Sequence, residues 1–159
     1  MAFYTANDVQ TVAPGADVIF TASNMPCQRG LVRHSDGTGD FMLSGWTGRR
    51  NGCGCNCGCG NDDCAEYLVS FGANIAVADG GTAGEISLAI VKNGTVVPAS
   101  TMASTPADTG EYNNVGVTIP VCVWAGCCQS IAIRNTGTEP IDVINASIYI
   151  TRPDLLVSR

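Results

Sequence analysis

NVGVTIPVCVW, residues Asn114 to Trp124, alternates without a break. Val115, Val117, Ile119, Val121 and Val123 fall on one side of an extended chain. Gly116, Thr118, Pro120, Cys122 and Trp124 fall on the other. Successive side chains of a β-strand point to opposite faces, so the pattern predicts a strand with one face in an apolar core.

The same period recurs on both sides of this stretch. In EISLAIVK, Ile86, Leu88 and Ile90 share a face, with Ser87 and Ala89 opposite. In QSIAIRN, Ile131 and Ile133 oppose Ser130, Ala132 and Arg134. In AEYLVSF, Tyr67, Val69 and Phe71 alternate with Leu68 and Ser70. No segment sustains a helical period. Turn chemistry separates the runs at Ala13-Pro14-Gly15, Asp36-Gly37-Thr38-Gly39, Asp79-Gly80-Gly81, Asn93-Gly94 and Asn135-Thr136-Gly137. Asn93-Gly94 suits the type I′ turn of a tight hairpin. Adding Ala16–Ser23, Gly30–His34, Phe41–Ser44, Val96–Thr105 and Ile141–Thr151 brings the total to about ten short strands. Strands so spaced, without helices, imply a single-domain antiparallel sandwich or jelly roll.

The last run, IDVINASIYIT, is apolar on both faces. Ile141, Val143 and Tyr149 lie on one, Ile144, Ile148 and Ile150 on the other. The sandwich core covers one face, and a subunit interface is an economical cover for the second. Ile144, Ile148, Tyr149 and Ile150 are therefore the interface candidates.

Composition excludes several functions. The net charge is −6, with eight Lys and Arg in 159 residues. Nucleic-acid binding needs a positive field over the phosphates, so no nucleic acid is expected. No basic amphipathic face suits a membrane surface, and no apolar run approaches a bilayer span. The first fifteen residues lack the basic and apolar regions of a secretory signal. Synthesis in a cytoplasm, with later exposure on a particle released by lysis, reconciles that with a cysteine-rich chain.

Side chains with chemical potential are few. His34 is the single histidine. It precedes Ser35 and Asp36, but neighbours on an extended chain point apart and cannot converge as a triad. The Asp36–Asp40 and Asn61–Asp63 stretches lack the ligand count of a calcium loop. The glycosylation sequons at Asn93 and Asn145 sit in a hairpin turn and within a strand, where chance is the better account. No catalytic residue is assigned. Trp46 and Trp124 are the candidates for stacking on a ligand, against a packing or interface role.

The nine cysteines remain. Cys53, Cys55, Cys57, Cys59 and Cys64 crowd one glycine- and asparagine-rich stretch, NGCGCNCGCGNDDC, from Asn51 to Cys64. Thiolates at this spacing can chelate a soft ion such as zinc, although the usual paired C-x₂-C spacing is absent. Side chains two apart on an extended strand are about 7 Å apart, too far for a disulfide within C-x-C. Bridges to other segments are easier, which makes Cys27, Cys59, Cys64, Cys122, Cys127 and Cys128 the disulfide candidates. Disulfides, a zinc knot and free thiols all stay open, and the odd total leaves at least one cysteine outside any intramolecular pair.

Several motifs resemble a known family. They are QTVAPGADVIFTAS near the start, the run AEYLVSFGANIAVADGGTAGEISLAIVKNGTVVPAS, then VTIPVCVWAGCCQSIAIRNTG and the ending INASIYITR. Val12, Gly15, Val18 and Phe20, then Tyr67 to Phe71, then Asn93, Gly94, Val97 and Pro98, match the order of motifs in bacterial jelly-roll domains of the tumour-necrosis-factor and complement-head type. That group includes the C-terminal domain of collagen-like exosporium glycoproteins and related Firmicutes phage structural proteins. The resemblance implies a homotrimeric jelly roll without enzyme activity or cofactor. No collagen-like stalk is present, and the cysteine-rich segment looks like an insertion.

The expected layout is an N-terminal arm over 1–8, a jelly roll over 9–153 with a cysteine-rich inserted loop at 47–64, and a tail over 154–159. The expected function is a structural one: a homotrimeric decoration or head-fibre protein that contacts a major capsid protein on a virion surface. A spore- or cell-surface protein cross-linked through cysteines is the alternative. A head that binds a host-surface glycan or receptor fits either setting.

Overall fold

Each alternating run forms a strand because its apolar face has somewhere to go. The computed structural model describes residues 1–26, 30–35, 37–46 and 64–153. Among them are twelve strands rather than about ten. In chain order these are β1 (Ala2–Ala6), β2 (Gln10–Val12), β3 (Ala22–Met25), β4 (Val32–His34), β5 (Phe41–Ser44) and β6 (Cys64–Val77). There follow β7 (Ile86–Lys92), β8 (Thr95–Val96), β9 (Met102–Ser104), β10 (Asn113–Trp124), β11 (Cys128–Asn135) and β12 (Ile141–Thr151). No described helix is long and apolar enough to cross a membrane.

The strands make two six-stranded sheets. The first runs β10-β6-β12-β1-β3, with β2 also paired to β12. The second runs β4-β5-β11-β7-β8, with β9 also paired to β7. Every pairing is antiparallel. The inner faces meet in one apolar core that includes Phe20, Phe41, Leu43, Tyr67, Ile75, Leu88, Ile131 and Ile148, all essentially inaccessible. This two-layer jelly roll is the architecture that the alternation and turn spacing imply.

Turn chemistry places the corners. Asn93 and Gly94 take φ of 49° and 81°, as a type I′ hairpin between β7 and β8 requires. Val96–Thr105, read as one strand, is broken by Pro98 into β8, a 3-10 turn (Pro98–Ser100) and β9. Proline has no N–H for a ladder. The buried Ser100 hydroxyl repairs the break by accepting from Ile90 N at 2.8 Å and donating to Val97 O at 2.7 Å.

Ala16–Ser23 is also not one strand. It crosses from one sheet to the other. Val18 N bonds Ile133 O of β11, and Thr21 N bonds Thr5 O of β1. Val18 and Phe20 point into the core along the way. Asp17 secures the crossing through a two-pronged pair with Arg134, Nε to Oδ1 at 2.7 Å and Nη2 to Oδ2 at 3.0 Å. That bond holds the Arg134 guanidinium above its ordinary pKa.

Two further expectations need correction. Residues 1–8 are not an arm outside the domain. Ala2–Ala6 is a strand between β12 and β3, with Ala2, Tyr4 and Ala6 buried. Two of its three inward side chains are alanines, so the alternation is faint in the sequence.

The second correction concerns β12. Ile144 faces Asn74 and Ser147 faces Gly72, so three steps on β12 oppose two on β6. This β-bulge turns on Asn145, whose φ is 53°. The extra residue reverses the phase of the strand. Ile141, Val143, Ala146, Ile148 and Ile150 all face the core, while Ile144 and Tyr149 lie on the outer face. Ile148 and Ile150, read as interface residues, are therefore core residues of the protomer.

The phase reversal can be tested by urea unfolding. Asn145→Val should cost about 1–2 kcal/mol, because a β-branched side chain meets the left-handed steric penalty, while Asn145→Gly should cost less. Ile148→Ala should cost about 2–5 kcal/mol, the range for a buried large-to-small change.

Candidate functional site, an end bearing cysteines and tryptophans

The β6–β10 ladder sets Trp124 opposite Cys64 and Cys122 opposite Glu66. Cys64 and Cys122 are thus diagonal neighbours on the outer face of the first sheet. Their Cα atoms are 5.7 Å apart and their sulfurs are joined in a disulfide. β10 is an edge strand, so the bond fastens an edge to its neighbour where the ladder ends. A disulfide sulfur has no thiolate to offer, so Cys64 is not a zinc ligand.

Cys127, in the turn after β10, is also disulfide-bonded. Cys128, the first residue of β11, is a free and exposed thiol. It lies opposite Ser44 on the second sheet, with the sandwich between it and the Cys64–Cys122 pair. Cys128 therefore leaves the set of disulfide candidates. Cys27, Cys53, Cys55, Cys57 and Cys59 lie outside the described residues, as do Asp36, the rest of the zinc proposal and the 154–159 tail. Among the described residues no group of three or more His, Cys, Asp or Glu side chains is arranged to hold a metal.

The backbone leading into Trp46 meets the backbone of the turn after Trp124 at this same end. Gly45 N donates to Cys127 O at 2.7 Å. A Cβ built on Gly45 would lie 2.0 Å from Trp124 O and 2.8 Å from Cys127 O. Only glycine lets the backbone before Trp46 press against the β10–β11 turn. Trp46 and Trp124 are 49% and 47% exposed, so neither belongs to the core.

Beneath them lies Arg152, 4% exposed. Its Nη1 donates to Trp46 O. Its guanidinium carbon sits 5.4 Å from the centroid of the Tyr67 ring, within reach of a cation–π contact. The Tyr67 hydroxyl donates to Ser44 O at 2.7 Å and lies 3.1 Å from Leu31 O. Two buried polar side chains thus tie β6 and the end of β12 to the strands of the opposite sheet. Sequence reasoning overlooked Arg152. The available signal was a lone charge directly after the long apolar run of the last strand.

His34 lies elsewhere. Its ring stacks on Phe41 at 4.4 Å and meets Tyr4 edge-on at 4.9 Å. Nδ1 lies 3.0 Å from Asp40 O and Nε2 3.2 Å from Phe20 O. Both ring nitrogens face backbone carbonyls, to one of which a neutral imidazole can donate, and none of these contacts is to a cysteine or a carboxylate. Near the opposite end of the sheet, burial and the carboxylates of Asp142 and Asp79 push the Tyr112 phenol above its ordinary pKa.

No protein-family model matches the sequence, and no curated protein matches it. Solved structures do share the fold. The globular domain of zebrafish complement 1qA superposes with a TM-score of 0.61 at 10% identity, covering 96% of this chain and 95% of that one. Eiger TNF from S. frugiperda gives 0.61 at 14% identity, covering 95% and 90%. Murine APRIL gives 0.56 at 9% identity, covering 94% and 98%. The chain thus has the tumour-necrosis-factor and complement-head type of jelly roll over nearly its whole length.

Cys64→Ser and Cys122→Ser should each lower the unfolding free energy by about 2–4 kcal/mol, and the double variant by no more than either alone. Cys128→Ser should leave stability unchanged. In the native protein, iodoacetamide should label Cys128 and spare Cys64 and Cys122, as peptide mass mapping would report.

Proposed function

We propose that this protein is a non-enzymatic structural head that assembles as a homotrimer through the outer face of its first sheet and decorates a phage capsid. One observation carries the assembly. The middle of that face is flat and uncharged. It presents Ser70, Gly72 and Asn74 from β6, Asn114, Gly116 and Thr118 from β10, and Ile144 and Tyr149 from β12. Gly72 and Gly116 stand directly opposite each other, which leaves no side chain at the centre. Thr118 bonds Ser70 at 2.9 Å and Asn114 bonds Asn74 at 3.2 Å, so these polar groups are largely satisfied within the protomer. A neutral face with its hydrogen bonds already made costs little to bury against a copy of itself. Tyr149, in edge contact with Phe3 at 6.5 Å, adds an aromatic anchor.

The fold likeness and the family resemblance support a trimer over other assemblies. The packing of His34 against Phe41 and Tyr4, with no cysteine or carboxylate among the contacts given above, supports the absence of catalysis. A cleft of about 230 Å³ lined by Ala6, Asp8, Val9, Gln10, Ile19 and Thr21 offers one carboxylate and no paired acid and base. The capsid reading follows from the resemblance to phage structural proteins. With Ala2–Ala6 committed to the sheet, contact with a major capsid protein would be made by another surface. A spore- or cell-surface setting is the second reading. The exposed Cys128 thiol favours it, because such a thiol can cross-link to a neighbour in an oxidising environment.

Light scattering should give three times the protomer mass. A Cβ on Gly72 would have nothing closer than 3.8 Å. Gly72→Arg should therefore fold yet elute as a monomer, and a trimeric Gly72→Arg would reject this face. Antibody labelling of purified phage particles should find the protein on intact virions, and its absence from them would reject the capsid reading.

A further inference from the structure

We infer that copies of this chain join ridge to floor: a row of large apolar side chains on β12, β1 and β3 of one copy seats on the glycine-lined surface of β6 and β10 of the next. This pairing presupposes the homotrimer proposed above and names the patch that each half of its face meets.

The outer face of the first sheet is not uniform. Register sets Thr118 opposite Ser70, Ser70 opposite Tyr149, Tyr149 opposite Phe3 and Phe3 opposite Met25. Residues paired across a ladder point to the same side. One line across five strands thus passes from small polar side chains at the β10 edge to large apolar ones at the β3 edge. In the adjacent line Gly116 stands opposite Gly72, so β10 and β6 form a floor without a central side chain. The ridge is contiguous. Phe3 and Tyr149 meet edge-on at 6.5 Å, and the Tyr149 hydroxyl lies 3.6 Å from Met1 Sδ. Met1 and Met25 are 52% and 43% exposed, and the core of the protomer uses none of these four side chains. A connected apolar patch left open to water marks an interaction site.

The two halves match in size and polarity. Glycine lets another chain approach the sheet closely. Thr118 already bonds Ser70 and Asn114 already bonds Asn74, so an apolar ridge laid on the floor strands few polar groups. Aromatic and methionine side chains are the types enriched at the centre of interfaces. A cyclic trimer joins each copy to its two neighbours through two different patches. The outer face offers two such patches side by side, one lacking side chains and the other rich in large ones.

Two arginine substitutions separate the halves. Thr118 and Met25 are exposed and stand on opposite edges of the sheet, roughly 19 Å apart at the usual strand spacing. Thr118→Arg blocks the floor and leaves the ridge, and Met25→Arg does the reverse. An unpaired guanidinium buried in the contact should weaken assembly by about a hundredfold or more. Each variant alone should therefore sediment as a monomer. Mixed in equal amounts, they retain one intact ridge and one intact floor, and native mass spectrometry should find a dimer holding one copy of each. If one contact alone is too weak to hold two copies, a photo-cross-link in the wild-type assembly decides. With p-benzoylphenylalanine in place of Phe3 and copies of two isotopic compositions, the cross-link should reach β6 or β10 of a different copy. Either arginine variant remaining trimeric, a cross-link from position 3 to β1, β3 or β12 of another copy, or no cross-link between copies would overturn the pairing. The face itself is tested apart. A monomeric Gly72→Arg with a failed cross-link keeps the face and rejects this pairing, whereas a trimeric Gly72→Arg rejects both.

Discussion

At Asn145 the backbone enters the left-handed region and one residue more than β6 can match is admitted to β12. Much of the molecule depends on that step. β12 lies in the first sheet between β6 on one side and β1 and β2 on the other. Its inward isoleucines meet the second sheet. Without the extra residue, Ile141 and Val143 would face the core while Ile148 and Ile150 faced water, since a one-residue slip moves every later side chain across the sheet. The bulge brings both halves of the strand to the same core and also sets what remains outside. The outer surface keeps Ile144 and Tyr149 among small polar groups and glycines, a face suited to a neighbouring copy. On the opposite flank, β1 ends at Ala6 and β2 resumes at Gln10, so the break in the neighbouring strand falls level with the bulge.

The sandwich is closed differently at its cysteine-bearing end. There the polar groups of Arg152 and Tyr67 run inward, and a disulfide and a glycine hold the edges. A buried guanidinium is expensive unless its donors and its π contact are satisfied. Here it spans the end of β12, the Tyr67 ring and the carbonyl of Trp46, and so joins the two layers. The described residues that flank 47–63, Trp46 and Cys64, both sit on this fastened end.

Individual strands were legible in the sequence where alternation was strong. β7, β10, β11 and β12 lie within a residue of their expected bounds, because Val, Leu or Ile recurs at alternate positions in each and the preceding and following segments are punctuated by turn residues. β1 was illegible for the opposite reason, since alanines carry little hydrophobic signal. Ala16–Ser23 looked like a strand because Val18 and Phe20 alternate, yet alternation reports burial, and a segment crossing between sheets is buried as well. Pro98 marked the break in Val96–Thr105. For the candidate site, the residue types were visible: cysteines, tryptophans and a single histidine with no converging partner. Their grouping was not, since the Cys64–Cys122 pair and the approach of Gly45 to the turn after Trp124 depend on strand register and on contacts between residues far apart in the chain.

By itself the sequence determined the class of fold. Period-two alternation and turn residues admit few solutions other than an antiparallel sandwich, because each strand has one apolar face to hide. The acidic balance likewise disfavours binding to a phosphate backbone. Tertiary structure alone decided which faces stay exposed. The bulge at Asn145 is a left-handed position that asparagine tolerates better than most residues, and the pairing on both sides fixes it there. The cysteine pairing, the tryptophan-bearing end and the neutral outer face all follow from register, which is settled by both sheets closing on one core and cannot be read from any strand alone.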